Sequence, residues 1–128
     1  MDPNVQTVGH INIERYRCIA EGITTDEVII TNERIQHIQE HHPGHYEMIS
    51  PFLRAVLEEP DYILEDVPNM GLLLKLVKDG DLRIQVVLRR HTPTDPDGFK
   101  NSIISAWHIR KKEFRRLLRN KNVLYKRE

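Results

Sequence analysis

Three features of this 128-residue chain predict an α+β fold, with N-terminal helices packed on one face of a four-stranded antiparallel sheet. Apolar residues recur at helical spacing between residues 32 and 58, and after Pro60 the period changes to two. Four alternating stretches then follow one another before a single basic helix closes the chain.

In chain order, "YRCIAEG" alternates Tyr16, Cys18 and Ala20 on one face, as a short half-buried or edge strand would. "VII" at 28 to 30 runs into Thr31, an N-cap, with Glu33 in the first turn where a carboxylate suits the helix dipole. The spacing predicts a helix from Asn32 to His42, stopped by Pro43-Gly44. A second helix should cover Tyr46 to Glu58, with Pro51 marking its true first turn. "DYILE", "GLLLKLV", "LRIQVVLRR" and "NSIISAWHI" read as four successive strands. Asp79-Gly80 gives the hairpin between the second and third, and "HTPTDPDGF" is the loop between the third and fourth. The basic helix "RKKEFRRLLRN" precedes "VLYK", one more strand or a tail.

A chain of this length is one domain by the usual prior: an N-terminal extension over 1–27, a core over 28–109, and a basic C-terminal helix and tail over 110–128. The lone cysteine, Cys18, rules out an internal disulfide framework and argues against a cysteine-based zinc site. No signal-like or membrane-spanning run is present, so a cytoplasmic protein with no membrane partner is expected. The net charge of zero hides an asymmetry: residues 1–74 carry 13 acids and 4 bases, and residues 75–128 carry 15 bases and 6 acids. The second half thus offers a basic surface to a polyanion or an acidic partner, unless it serves only to neutralise the acidic helices.

"HIQEHHPGH", residues 37–45, holds four imidazoles in nine positions. On a helical wheel Ile35, Ile38 and His42 share one side, with Arg34, His37 and His41 around the other. His42, at the helix end, faces the sheet; the helix dipole raises its pKa and burial lowers it, so the two opposed effects suit an acid/base catalyst. The bland alternative is a core histidine satisfied by a carbonyl. His37-x-x-Glu40-His41 also fits an inverted zinc-hydrolase spelling, with Glu113 the conceivable third ligand. Against it, the helix ends just after His41.

The run "ITNERIQHIQEHHPGHYEMISPFLRAVLEEPDYILED", with "LLLKLV", "LRIQVVLR" and "KNSIISAWHI", resembles the phage-type nucleases of the barnase, EndoU, colicin and RelE superfamily. The shared pattern is a T-x-E-R-x-x-H-I-x-x-x-H-P helix, a P-D-x-I lead into the sheet, a lysine strand, an arginine strand and an S-I-[IS]-[ST]-x-[WYF] strand. It covers residues 28–109. The resemblance implies a barnase/RelE-like fold that cleaves RNA without metal or cofactor, driving the ribose 2′-hydroxyl onto the adjacent phosphate. It assigns catalytic roles to His42, His37, Lys75, Arg89 and Ser105; substrate binding is expected of Trp107, His41, Lys100, Asn101 and Arg110.

The residue types agree with those roles. Lys75 is a lone charge in "LLLKLV", sharing a face with Leu73 and Val77, and suits a phosphate clamp; its bland reading, and that of Arg89, is a snorkelling cation. Arg89 could offer a bidentate fork to phosphate oxygens. Ser105 and Trp107 share a strand face, setting a hydroxyl beside a ring on which a base could stack. Position 41 is histidine where arginine or another polar residue is expected. Ser105 replaces the usual threonine, keeping the hydroxyl and losing the β-branch.

The expected activity is that of an endoribonuclease, phage- or mobile-element-borne, acting on RNA such as tRNA. If it is a toxin it would need an acidic immunity or antitoxin partner. The alternative from another class is an inactive RNA- or protein-binding module of the same fold.

Overall fold

A computed structural model describes residues 4–16, 25–67, 70–77, 82–89 and 101–127. Its elements are β1 (Val5–His10), α1 (Ile13–Tyr16), β2 (Glu27–Thr31), α2 (Asn32–His41), α3 (His45–Ile49), α4 (Leu53–Glu58), β3 (Tyr62–Glu65), β4 (Met70–Val77), β5 (Leu82–Arg89), β6 (Asn101–His108), α5 (Lys111–Asn120) and β7 (Val123–Lys126). One seven-stranded sheet, in the order β1-β2-β6-β5-β4-β3-β7, runs through the molecule.

The sheet corrects the four-stranded expectation. The predicted meander is present as β3 to β6, all antiparallel, but β7 pairs with β3 at one edge. At the other edge β2 joins β6 in parallel and β1 pairs antiparallel with β2. The stretch "VII" does more than lead into a helix: it is the middle of β2. With neighbours on both sides it is a near-continuous apolar strand, with Val28 and Ile30 fully buried. Tyr16 is not in a strand: it ends α1, and Cys18 and Ala20 lie outside the described residues, as do Asp79-Gly80 and "HTPTDPDGF".

Helices occupy both faces, not one. Ile38 of α2, Ile49 of α3 and Leu53, Val56 and Leu57 of α4 pack with Leu73, Ile84, Val86, Leu88, Ile103 and Ala106. On the opposite face α5 buries Phe114 and Leu117 against Leu64, Leu72 and Leu74. The predicted 46–58 helix divides at Pro51, whose missing N–H sits in a 3-10 turn over Ser50–Phe52 between α3 and α4. Thr31 caps α2 as expected, its hydroxyl accepting from the Arg34 N–H at 3.2 Å. Gly44, at φ 80°, turns the chain from α2 into α3, a conformation that favours glycine.

Strand β2 meets β6 only at Val28 with Asn101 and Ile29 with Ser102. Beyond those pairs the edge of β6 is met by α2 and α3 instead of a strand. That substitution brings the histidine-rich helix end to the C-terminal half of β6.

Candidate active site

Helix α2 ends at His41, and the next residue, His42, donates its backbone N–H to the Ile38 carbonyl at 2.8 Å. Its half-buried ring lies flat on the Trp107 indole, with centroids 4.6 Å apart and planes within 8°. His45 stands 5.6 Å from His42, and His108 6.1 Å from His45, so three imidazoles form an arc around the edge of β6. One turn back, His37 and His41 stack at 4.0 Å, and His41 Nδ1 lies 3.0 Å from the His37 carbonyl.

The arc has defined protonation. Burial first, then the nearby imidazoles of His45, His41 and His37, hold His42 below the ordinary histidine value of 6.5. Its ring is therefore neutral at pH 7, with a lone pair to accept a proton. The helix dipole does not win the contest expected at this position. His45 Nδ1 accepts the backbone N–H of His108 at 3.0 Å, so that nitrogen carries no proton and the neutral ring holds its hydrogen on Nε2. Burial is also the leading cause that lowers His108; a backbone hydrogen bond at Arg83 opposes it, and the charges of Arg83 and His45 add to it. His108 Nδ1 is buried without a hydrogen-bond partner.

The remaining candidates do not converge on this point. Ser105, nearly buried, pairs with Val87, which packs on the α5 side, and Trp107 pairs with Gln85 on that same face. Ser105 is thus one row from the indole. Arg89 pairs with Met70 and Ser102, two rows beyond Gln85, roughly 13 Å along the strand. Lys75 pairs with Ile84, a member of the core under α2 to α4, so it points to the opposite face. There its ammonium donates to the Glu59 carbonyl at 2.6 Å and lies 3.9 Å from an Asp61 carboxylate oxygen. The expected phosphate clamp at Lys75 is thus occupied in capping the end of α4.

Two of the substrate-binding candidates have partners within the fold. Asn101 is fully buried and gives its amide hydrogens to the Thr25 and Glu27 carbonyls at 2.7 and 3.1 Å, joining β6 to β2. One face of the Trp107 ring is covered by His42, and the indole packs against the α5-side core, so it orients the imidazole in place of a base. Arg110 is exposed at the head of α5, and Lys100 lies outside the described residues. In the zinc reading, the third ligand and the general base have other partners: Glu113 pairs with Arg116, and Glu40 accepts from Gln36 at 3.0 Å. Among the described residues no three His, Cys, Asp or Glu side chains form a group able to hold a metal.

Sequence reasoning passed over His45, His108 and Arg83. Its signal for His45 was the Pro43-Gly44 turn, which returns the chain one residue later to the edge of β6. For Arg83 it was strand parity, which sets Arg83, Gln85, Val87 and Arg89 on one face.

Among the described residues no helix is long and apolar enough to cross a membrane. No curated protein and no solved structure matches the chain. A family model described as phage-Barnase-EndoU-ColicinE5/D-RelE like nuclease2 does match, over residues 4–126. The match reaches back to β1 and forward to β7, past the 28–109 stretch that carries the resemblance. The histidine helix packed on the sheet edge, and a match running from the first strand to the last, lead to one conclusion: the chain belongs to this nuclease family.

Proposed function

We propose that this nuclease is a metal-independent endoribonuclease that cuts RNA by attack of the ribose 2′-hydroxyl on the adjacent phosphate. The observation that carries the reading is the His42 ring, held neutral and flat against Trp107 at the edge of β6. A neutral imidazole of fixed orientation is what a general base for a hydroxyl requires. As O2′ bonds to phosphorus, its proton passes to His42 and the bond to the 5′-oxygen breaks. His37, near enough for its charge to lower His42, supplies the proton that the departing oxygen needs. The products are a 2′,3′-cyclic phosphate and a 5′-hydroxyl.

Charge on the phosphate calls for donors. The Nε2–H of His45 is one, kept on that nitrogen by the His108 amide. The Ser105 hydroxyl is a second, one row along, and Arg89 serves further along the strand at a neighbouring phosphate. Lys75 acts through the fold, by capping α4. A role as a toxin, with an acidic immunity or antitoxin partner, follows if the RNA cut is the host's.

The test is incubation of purified protein with total RNA and with defined tRNAs, with and without chelator, beside His42→Ala. Fragments ending in cyclic phosphate, made equally with chelator and absent with His42→Ala, are expected. Intact RNA in every arm would leave the RNA- or protein-binding module as the better reading. Chelator-sensitive cleavage would return attention to a metal.

A further inference from the structure

Helix α5 presents two unlike surfaces. On one, Glu113 and Arg116 neutralise each other one turn apart. On the other, Lys111, Lys112, Arg115 and Arg119 line, among the described residues, an open groove of about 690 Å³ with Leu118 as its apolar member. Among the described residues none of these four cations has a carboxylate within ion-pair distance. Lys111, Arg115 and Arg119 recur every four residues, so their rungs are roughly 6 Å apart along the helix axis. Such a row of unneutralised like charges repels itself, and a ligand carrying evenly repeated negative charge relieves the repulsion.

We propose that this face of α5 is a phosphate-backbone track, a binding subsite that holds a single nucleic-acid strand outside the point of cleavage. Leu118 packs on the same apolar cluster as Val87 and Trp107, so the groove lies on the side of the sheet that carries the indole on which His42 stacks. The regular spacing suits the one-charge-per-residue backbone of a polynucleotide better than the scattered carboxylates of an acidic protein. Contacts from lysine and arginine to phosphate carry no sequence information, so the track supplies affinity and register and leaves base choice to the cleavage site. The proposal extends the endoribonuclease reading but does not need the chain to cut.

A single-stranded oligodeoxythymidine, which lacks the 2′-hydroxyl and cannot be cleaved by this route, serves as the probe, with anisotropy followed across salt concentrations. Replacing Lys111, Arg115 and Arg119 together by Gln should weaken binding at least tenfold at low salt. The slope of log affinity against log salt should fall by about 0.7 per phosphate contact removed. Arg115→Gln alone should lower the slope by one such step, which serves if the triple variant folds poorly. Arg116→Gln should bind as the parent does. Unchanged affinity and slope in the triple variant and in Arg115→Gln would overturn the track, as would displacement of the probe by polyglutamate at equal charge concentration. Loss of binding without any RNA cleavage by the parent would sink the endoribonuclease reading and leave the track standing.

Discussion

Two helix ends meet this sheet with basic side chains beside them, and they are used in opposite ways. At the end of α4 the carbonyls are satisfied one after another: Leu57 accepts from the Tyr16 hydroxyl at 2.7 Å, Glu58 from Arg15 at 2.7 Å and Glu59 from Lys75 at 2.6 Å. At the end of α2, His42 engages Trp107 through its ring face, leaving its nitrogens to be governed by burial and by neighbouring imidazoles. A cation bound to a carbonyl that the helix must satisfy is committed to stability. An imidazole held by stacking alone keeps a lone pair for chemistry. The difference teaches that a charge in an apolar strand and a histidine at a helix end, equally suggestive as letters, are told apart by what their polar atoms touch.

Substitutions at the two ends should therefore separate activity from stability. The largest effect is expected from His42→Ala, which should lower the RNA cleavage rate about 10²- to 10⁴-fold, the usual worth of a positioned base, with little change in the denaturation midpoint. His45→Asn keeps an acceptor for the His108 amide and loses the Nε2–H donor; single-turnover kinetics should show a loss of about 10²-fold in the cleavage step. Lys75→Met should act the other way, costing about 1–3 kcal/mol in chemical denaturation because the Glu59 carbonyl is left without its partner.

The smallest effect is a pH dependence of stability. Unfolded histidine titrates near 6.5, and folded His42 and His108 titrate below it, so unfolding takes up protons in that window. Stability contributed by these two residues is present above 6.5 and is lost as pH falls through that value toward their folded values. The denaturation midpoint should drop between neutral and mildly acidic pH, and His42→Gln should flatten the drop. An identical drop in the variant would remove His42 from the account.

Much of this was legible before the fold was known. Period-two apolar runs gave four strands within a residue of their true bounds, and Thr31 and Pro43 marked the limits of α2 because capping and chain-stopping are local effects. Of the outer strands only β7 was foreshadowed, as one of two readings of "VLYK". β1 and β7 are short edge strands, and β2 looked like a helix approach because its pairing partners are 70 residues or more away in β6 and about 20 away in β1. Within the site, His42 was legible from helical phase. The face taken by Lys75 relative to Ser105 was not, because parity within one strand says nothing about register with the next.

The most direct test of the account is the cleavage rate of His42→Ala set beside that of Lys75→Met, each measured on RNA and corrected for the fraction folded. The account predicts near-complete loss in the first and a rate within a few-fold of the parent in the second. A fully active His42→Ala, or a folded but inactive Lys75→Met, would contradict it.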